Sequence, residues 1–317
     1  PHMYKINGKY YLVAAEGGTE YGHMVTYARA DSLYGKFEGY ENNPVLTNRN
    51  LGGYEVQGVG HGDLIQDNYG NWWLLHLGFR QSGQWEAYHH LGREVFLTPV
   101  IFGEDGWFTA GDNGRTTKSF EINYINNDVI QKEKKHYTFE NTKWDNDWCY
   151  LRIPIKKKLD KNKLILKGTD ITLDDVDSPT FIGIRQRDFN ATISCNVEIT
   201  DGEAGITLYM DENHHYDLAI RKCENGYEAI ERLNIGDIKS VEKSIYLENK
   251  NNISLIINAS NSYYSFSIKS ENEESILGYA KTRYLSSEVA GGFTGVVIGL
   301  YACASNSFNY AEFTNFK

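Results

Sequence analysis

The chain has 317 residues, 41% of them hydrophobic, enough for two domains or one large one around a buried core. A formal charge of −10 excludes nucleic acid as a partner, because phosphate contacts need a basic face, and a neutral ligand fits better. No apolar run approaches the roughly 18 to 20 residues that span a bilayer, and the first residues lack the basic-then-apolar order of a signal peptide. The expectation is a protein without membrane contact, in the cytoplasm unless a segment ahead of Pro1 carries a signal.

Strand-like runs follow one another along the whole chain. They begin with "KYYLVAA", "HMVTYARA", "NWWLLHL" and "EVFLTPVIF". After a polar interval come "FIGIRQ", "ATISCNVEI", "AGITLYM", "YDLAIRK", "NISLIINA", "YYSFSIKS", "FTGVVIGLYACA" and "YAEFTNF". Almost no segment keeps a 3.6-residue apolar period, and the turns carry Asn, Asp and Gly, so the chain reads as all-β. The 23 Tyr and 6 Trp suit strands, and suit proteins that stack sugar rings on aromatic faces. Cys149, Cys195, Cys223 and Cys303 stand far apart with no C-x-x-C, which predicts buried free thiols rather than a zinc site or a disulfide scaffold.

A faint repeat joins "NGKYYLVAAEG" to "YGNWWLLHLGF". Gly8 falls on Gly70, Tyr10 and Tyr11 on Trp72 and Trp73, and Leu12 on Leu74. A hairpin turn, paired aromatics and an apolar strand recurring at this distance are what the blades of a β-propeller show. Between "GDNGRTTKSF" and "NNDVIQKEKKH" the composition turns polar and charged, which places a domain boundary there. The predicted organisation is residues 1–122 as one domain, 123–136 as a linker, and 137–317 as an antiparallel β-sandwich.

Three stretches of the first domain are distinctive: "AEGGTEYGHMVTYARADSLYGKFE" after "PHMYK", then "QGVGHGDLIQDNYGNWWLLHLGFR", then "LGREVFLTPVIFGEDGW". Together they resemble glycoside hydrolase family 43, the five-bladed propeller enzymes that include β-xylosidases and α-L-arabinofuranosidases. Past the boundary, "WCYLRIPI", "SPTFIGIRQRDF", "AGITLYMDENHHYDLAI" and "GGFTGVVIGLYACASNSFNYAEF" resemble the concanavalin-A-like sandwich, a jelly roll, appended to the β-xylosidase branch. The resemblance implies part of a propeller followed by that sandwich. It also implies removal of xylose or arabinose from the non-reducing end of xylo-oligosaccharides or arabinose-bearing oligosaccharides, by inversion and with no required cofactor.

In the family the motif P-H-x-Y-K follows the general acid, a Glu, with the catalytic base and an acid-tuning Asp further upstream, so all three are expected ahead of Pro1. Pro1 and His2 can also be read as a cloning remnant before a native Met3. Either way inversion needs an acid and a base carboxyl about 6.5 to 9.5 Å apart, and the chain alone is expected to be inactive unless complemented. About two and a half blades would leave sheet edges and an apolar face open, to be completed by a missing N-terminal propeller half or a second copy of the chain. The alternative function is a non-catalytic, lectin-like binder, and a purely structural β-protein is a third reading.

By resemblance, Thr19, His61, Arg93 and Phe293 bind the sugar, with Glu16 and His23 beside them. A guanidinium offers a rigid fork of donors to hydroxyls, and the Gly17-Gly18 pair lets backbone approach a ligand closely. The blander readings are a glycine turn at Thr19, a core histidine at His61, an Arg93–Glu94 ion pair and a core aromatic at Phe293. Adjacent His214 and His215 point to opposite strand faces and cannot easily share a metal. A structural calcium near Glu140 and Glu312 is the one ion expected, if any.

Overall fold

A computed structural model describes residues 1–122, 134–140, 146–155, 157–248, 253–270, 273–305 and 310–317. The chain divides into two compact units, Pro1–Asp128 and Val129–Lys317. Most of the expected linker, residues 123–133, lies outside the described residues.

The first unit is built from two four-stranded antiparallel sheets. One runs β1 (His2–Ile6), β2 (Lys9–Glu16), β3 (Met24–Ala30), β4 (Glu38–Gly39) in order; the other runs β5 (Val56–Gln66), β6 (Trp72–Arg80), β7 (Glu94–Phe102), β8 (Phe108–Ala110). The described residues thus form two blades rather than two and a half, because residues 111–122 turn back without adding a strand. The repeat seen in the sequence falls on the first hairpin of each sheet. At its turns Gly8 (φ +82°) and Gly70 (φ +86°) take the left-handed backbone that glycine adopts without steric cost.

Period-2 alternation then assigns the faces. Tyr11 and Val13 of β2, with Val25 and Tyr27 of β3, pack on Val59 and Leu64 of β5, Leu74 of β6 and Phe108 of β8. Trp73, which aligns with Tyr11, is buried beside Phe120, with ring centroids 5.4 Å apart. Leu74 is fully buried between the sheets, whereas its counterpart Leu12 lines a cavity on the first sheet.

The second unit holds β9 (Trp148–Cys149), β10 (Lys157–Asp160), β11 (Lys163–Lys167), β12 (Thr180–Arg185), β13 (Ala191–Ile199), β14 (Glu203–Asp211) and β15 (His214–Cys223). It continues with β16 (Gly226–Ile235), β17 (Ile238–Leu247), β18 (Ile253–Ala259), β19 (Tyr263–Ser270), β20 (Glu273–Lys281), β21 (Val297–Cys303) and β22 (Tyr310–Thr314). They form two seven-stranded antiparallel sheets, ordered β10-β11-β22-β13-β18-β19-β20 and β17-β16-β15-β14-β21-β12-β9. Ile193, Cys195 and Val197 of β13 and Leu255 and Ile257 of β18 meet Ile206 and Leu208 of β14 and Leu218 of β15 in the sandwich core.

β14 is buried on both faces. Its second face packs Tyr209 with Leu173, Phe181, Ala219, Ile230 and Tyr301, and beside these sits a charged network. Arg232 donates to both oxygens of Glu203 (2.8 and 2.5 Å) and to Asp217 (3.1 Å), and Tyr301 donates to Glu203 (2.6 Å). His215 lies between Asp217 (2.9 Å) and Asp174 (3.0 Å). The cysteines are free thiols, but only Cys195 is fully buried; Cys149 sits on the edge strand β9 and is exposed, a correction to the expected burial. No helix among the described residues is long and apolar enough to cross a membrane.

Candidate functional site

Glycines spaced two apart in "QGVGHGDL" shape the site. β5 carries two register irregularities against β6, between Gln57 and Gly60 and between Gly60 and Asp63. Gly58 (φ +63°) and His61 (φ +53°) take left-handed backbone there, and such irregularities re-aim side chains. A Cβ on Gly58 would lie 2.2 Å from the Phe79 ring, and one on Gly60 would lie 2.4 Å from the His23 ring. The missing side chains therefore leave the space that two buried rings occupy.

His61 itself is exposed, so the core-histidine reading does not hold. Its ring stands edge-on to His2, with centroids 6.4 Å apart. Beside them His2 meets Asp63, and Tyr4 donates to Asp63 (2.9 Å) while accepting from the Leu64 amide (3.1 Å). Burial, together with the Asp63 carboxylate, pushes the Tyr4 hydroxyl up to about 12, so it remains a donor.

His23 is buried, with Nδ1 3.0 Å from the Gly58 carbonyl. Burial holds its pKa below the usual histidine value, and the charges of His61 and Arg93 push the same way against the Gly58 hydrogen bond. Behind it His76 is pushed down to about 4, chiefly by burial. Its Nδ1 donates to the Leu77 carbonyl (2.9 Å), which leaves Nε2 to accept from Thr98 (2.9 Å) and Thr116 (3.0 Å).

Arg93 does not pair with its neighbour Glu94, which instead takes a two-pronged bond from Arg80 (2.8 and 2.9 Å). One Arg93 nitrogen donates to the Thr19 carbonyl in the loop between β2 and β3, and another to His89 Nε2 (3.0 Å). The guanidinium carbon lies 5.1 Å from the Phe79 ring centre. Phe79 stacks on His89 (3.8 Å, 12°) and receives the edge of Tyr21 (5.1 Å, 81°).

Of the expected residues, Thr19, His23, His61 and Arg93 come together. Glu16 accepts from Thr26 (2.7 Å) and faces a cavity of about 480 Å³ whose other walls include Leu12, Ala14, Met24 and Arg49. Phe293 belongs to the second unit, half exposed in the segment after a short helix, Ser287–Ala290, and not in a core strand. Glu312 pairs with Lys163 (2.5 Å), and Glu140 is exposed. No group of three or more His, Cys, Asp or Glu is arranged to hold a metal among the described residues. His214 bonds Asp211, a different partner from those of His215.

Tyr4, Asp63, Phe79 and His89 were not singled out from the sequence. The alternating glycines were the available signal, since a strand face without side chains must be filled by something large. The assembled group is a set of rings and a guanidinium presenting hydrogen-bond donors, chemistry suited to a hydroxylated, uncharged ligand.

Residues 1–108 match the profile of the glycosyl hydrolases family 43, and residues 136–317 match that of the β-xylosidase C-terminal concanavalin-A-like domain. A non-reducing-end α-L-arabinofuranosidase of Bacteroides ovatus is 37% identical over 98% of this chain, and a xylosidase/arabinosidase of Butyrivibrio fibrisolvens is 32% identical over all of it. The chain spans 60% and 63% of the lengths of these relatives. A solved xylan β-1,4-xylosidase of Bacillus halodurans, 27% identical, superposes over the whole chain with a TM-score of 0.93, the chain covering 64% of it. Its fold, like that of these neighbours, is a propeller with a sandwich domain.

Proposed function

The chain belongs to the glycosyl hydrolases family 43, and from that premise we propose that it forms the sugar-binding part of an exo-acting β-xylosidase or α-L-arabinofuranosidase. In this reading Arg93, His61 and Thr19 contact a terminal xylose or arabinose, and His23 supports them. The acid and base carboxyls that inversion needs are contributed by sequence outside these 317 residues. The chain's 60% to 63% share of its relatives' lengths supports that assignment. So does the cavity on the first sheet, walled by Leu12, Ala14 and Met24, which offers a surface for a further blade.

The observation that carries the reading is the placement of Arg93. A guanidinium tied to the Thr19 carbonyl and His89, and laid over Phe79, presents its fork in one orientation. Titration calorimetry of the chain with D-xylose and L-arabinose, run beside an aryl β-xyloside assay, tests it. Saturable binding that Arg93→Leu abolishes is expected, with no turnover until the complementary propeller segment is added. Turnover by the chain alone overturns the assignment of the carboxyls. Absence of sugar binding even with the complementary segment present overturns the site.

A further inference from the structure

We infer that His89 is a positioning residue that sets the orientation of Arg93, an inference that rests on the reading of Arg93 as a sugar contact. An arginine side chain has donors only, so the 3.0 Å approach of Arg93 to His89 Nε2 requires a lone pair on that nitrogen. His89 is therefore neutral, with its proton on Nδ1, and its ring acts as an acceptor for a cation.

The imidazole is fixed from below. It stacks on Phe79 at 3.8 Å with only 12° between the planes, and His89 is 2% exposed. Phe79 is also the ring over which the Arg93 guanidinium lies, so one aromatic platform seats both partners of the bond. The platform is held by the Tyr21 edge, by Gln81 donating to the Tyr21 hydroxyl (3.1 Å), and by the absence of a side chain at Gly58. Arg93 also lies near enough to the His23 imidazole for its charge to lower the His23 pKa, and it donates to the Thr19 carbonyl. The His89 acceptor and the Phe79 ring thus act together on the orientation of the fork.

Two variants of the full chain separate positioning from packing. His89→Leu keeps bulk on Phe79 but removes the acceptor; His89→Gln restores an acceptor oxygen. The Arg93 side-chain N–H resonances, assigned by their loss in Arg93→Lys, report the orientation without any sugar. His89→Leu is expected to shift or broaden them and to weaken D-xylose or L-arabinose binding about tenfold, while His89→Gln recovers most of both. Unchanged Arg93 resonances in His89→Leu, or a His89→Gln variant as impaired as His89→Leu, overturn the inference. Should Arg93→Leu leave sugar affinity intact, the site reading fails, and the resonance comparison still decides whether His89 positions Arg93.

Discussion

The His23 ring occupies the place where a side chain at Gly60 would begin, 2.4 Å from an ideal Cβ. His23 is hemmed in further by its Nδ1 contact with the Gly58 carbonyl and by Thr47, which donates to the His23 carbonyl (2.8 Å). Neither the ring nor the bulged strand can retreat cheaply. Gly60→Ala is expected to cost about 1 to 3 kcal/mol, the usual penalty for overpacking. A fall in the midpoint of the first unit, with the His23 ring resonances displaced, would be its signature; an unchanged midpoint and spectrum would show that His23 moves freely.

Tyr27 ties the two sheets of the first unit together through both backbone groups of one residue. Its hydroxyl donates to the Phe108 carbonyl and accepts from the Phe108 amide, each at 2.8 Å, while the two rings stack at 3.8 Å. Tyr27→Phe retains the stack but strands a buried N–H and C=O, for an expected loss of about 1 to 3 kcal/mol. Thermal unfolding followed at the first unit checks it, and a loss within error would mean water replaces the hydroxyl.

The all-β class, the order of strands and the hairpin repeat were legible because they rest on local patterns: period-2 alternation, turn glycines and aromatic pairs. The assembly around Arg93 was not legible, because it depends on where a bulge in β5 points His61 and on which distant acceptor Arg93 finds. An Arg-Glu neighbour pair suggests an ion pair, yet Glu94 opens β7 and turns to Arg80, while Arg93 in the preceding loop turns to His89. Nor could the sequence show that both faces of β14 are buried, since the covering residue Leu173 is 30 positions away from its start.

Two histidines make the two units respond to pH in opposite directions. His76 has a folded pKa of about 4 against 6.5 unfolded, so its contribution is complete above pH 6.5 and is lost as pH falls toward 4, about 3 kcal/mol in all. At His215 burial alone would lower the pKa, but Asp217 and Asp174 outweigh it and raise it to about 9. That contribution is complete below pH 6.5 and is lost as pH rises through 9. Denaturant titrations across pH 4 to 10, read separately at a probe in each unit, should show the first weakening on the acid side and the second on the alkaline side. Parallel profiles would contradict the assignment.

Arg232 neutralises two carboxylates on the buried second face of the β14 sheet, and its removal tests what the network needs. Glu203 keeps the Tyr301 hydroxyl and Asp217 keeps His215, but each loses its guanidinium bond in surroundings with little water. Breaking such a network from one side is expected to cost about 3 to 5 kcal/mol, because it leaves charge buried without its partner. The sign of the pH dependence distinguishes charge from packing. If the cost is uncompensated carboxylate, Arg232→Leu should regain stability as the pH falls and Asp217, which despite its burial His215 and Arg232 together hold below the usual carboxylate value, takes up a proton, relative to the unsubstituted chain at the same pH. If the cost is only the lost packing of the arginine stem, the deficit should stay constant from pH 8 to pH 5. Denaturant midpoints of both proteins across that range decide between them, and a constant deficit would show that Tyr301 and His215 suffice to hold the two carboxylates.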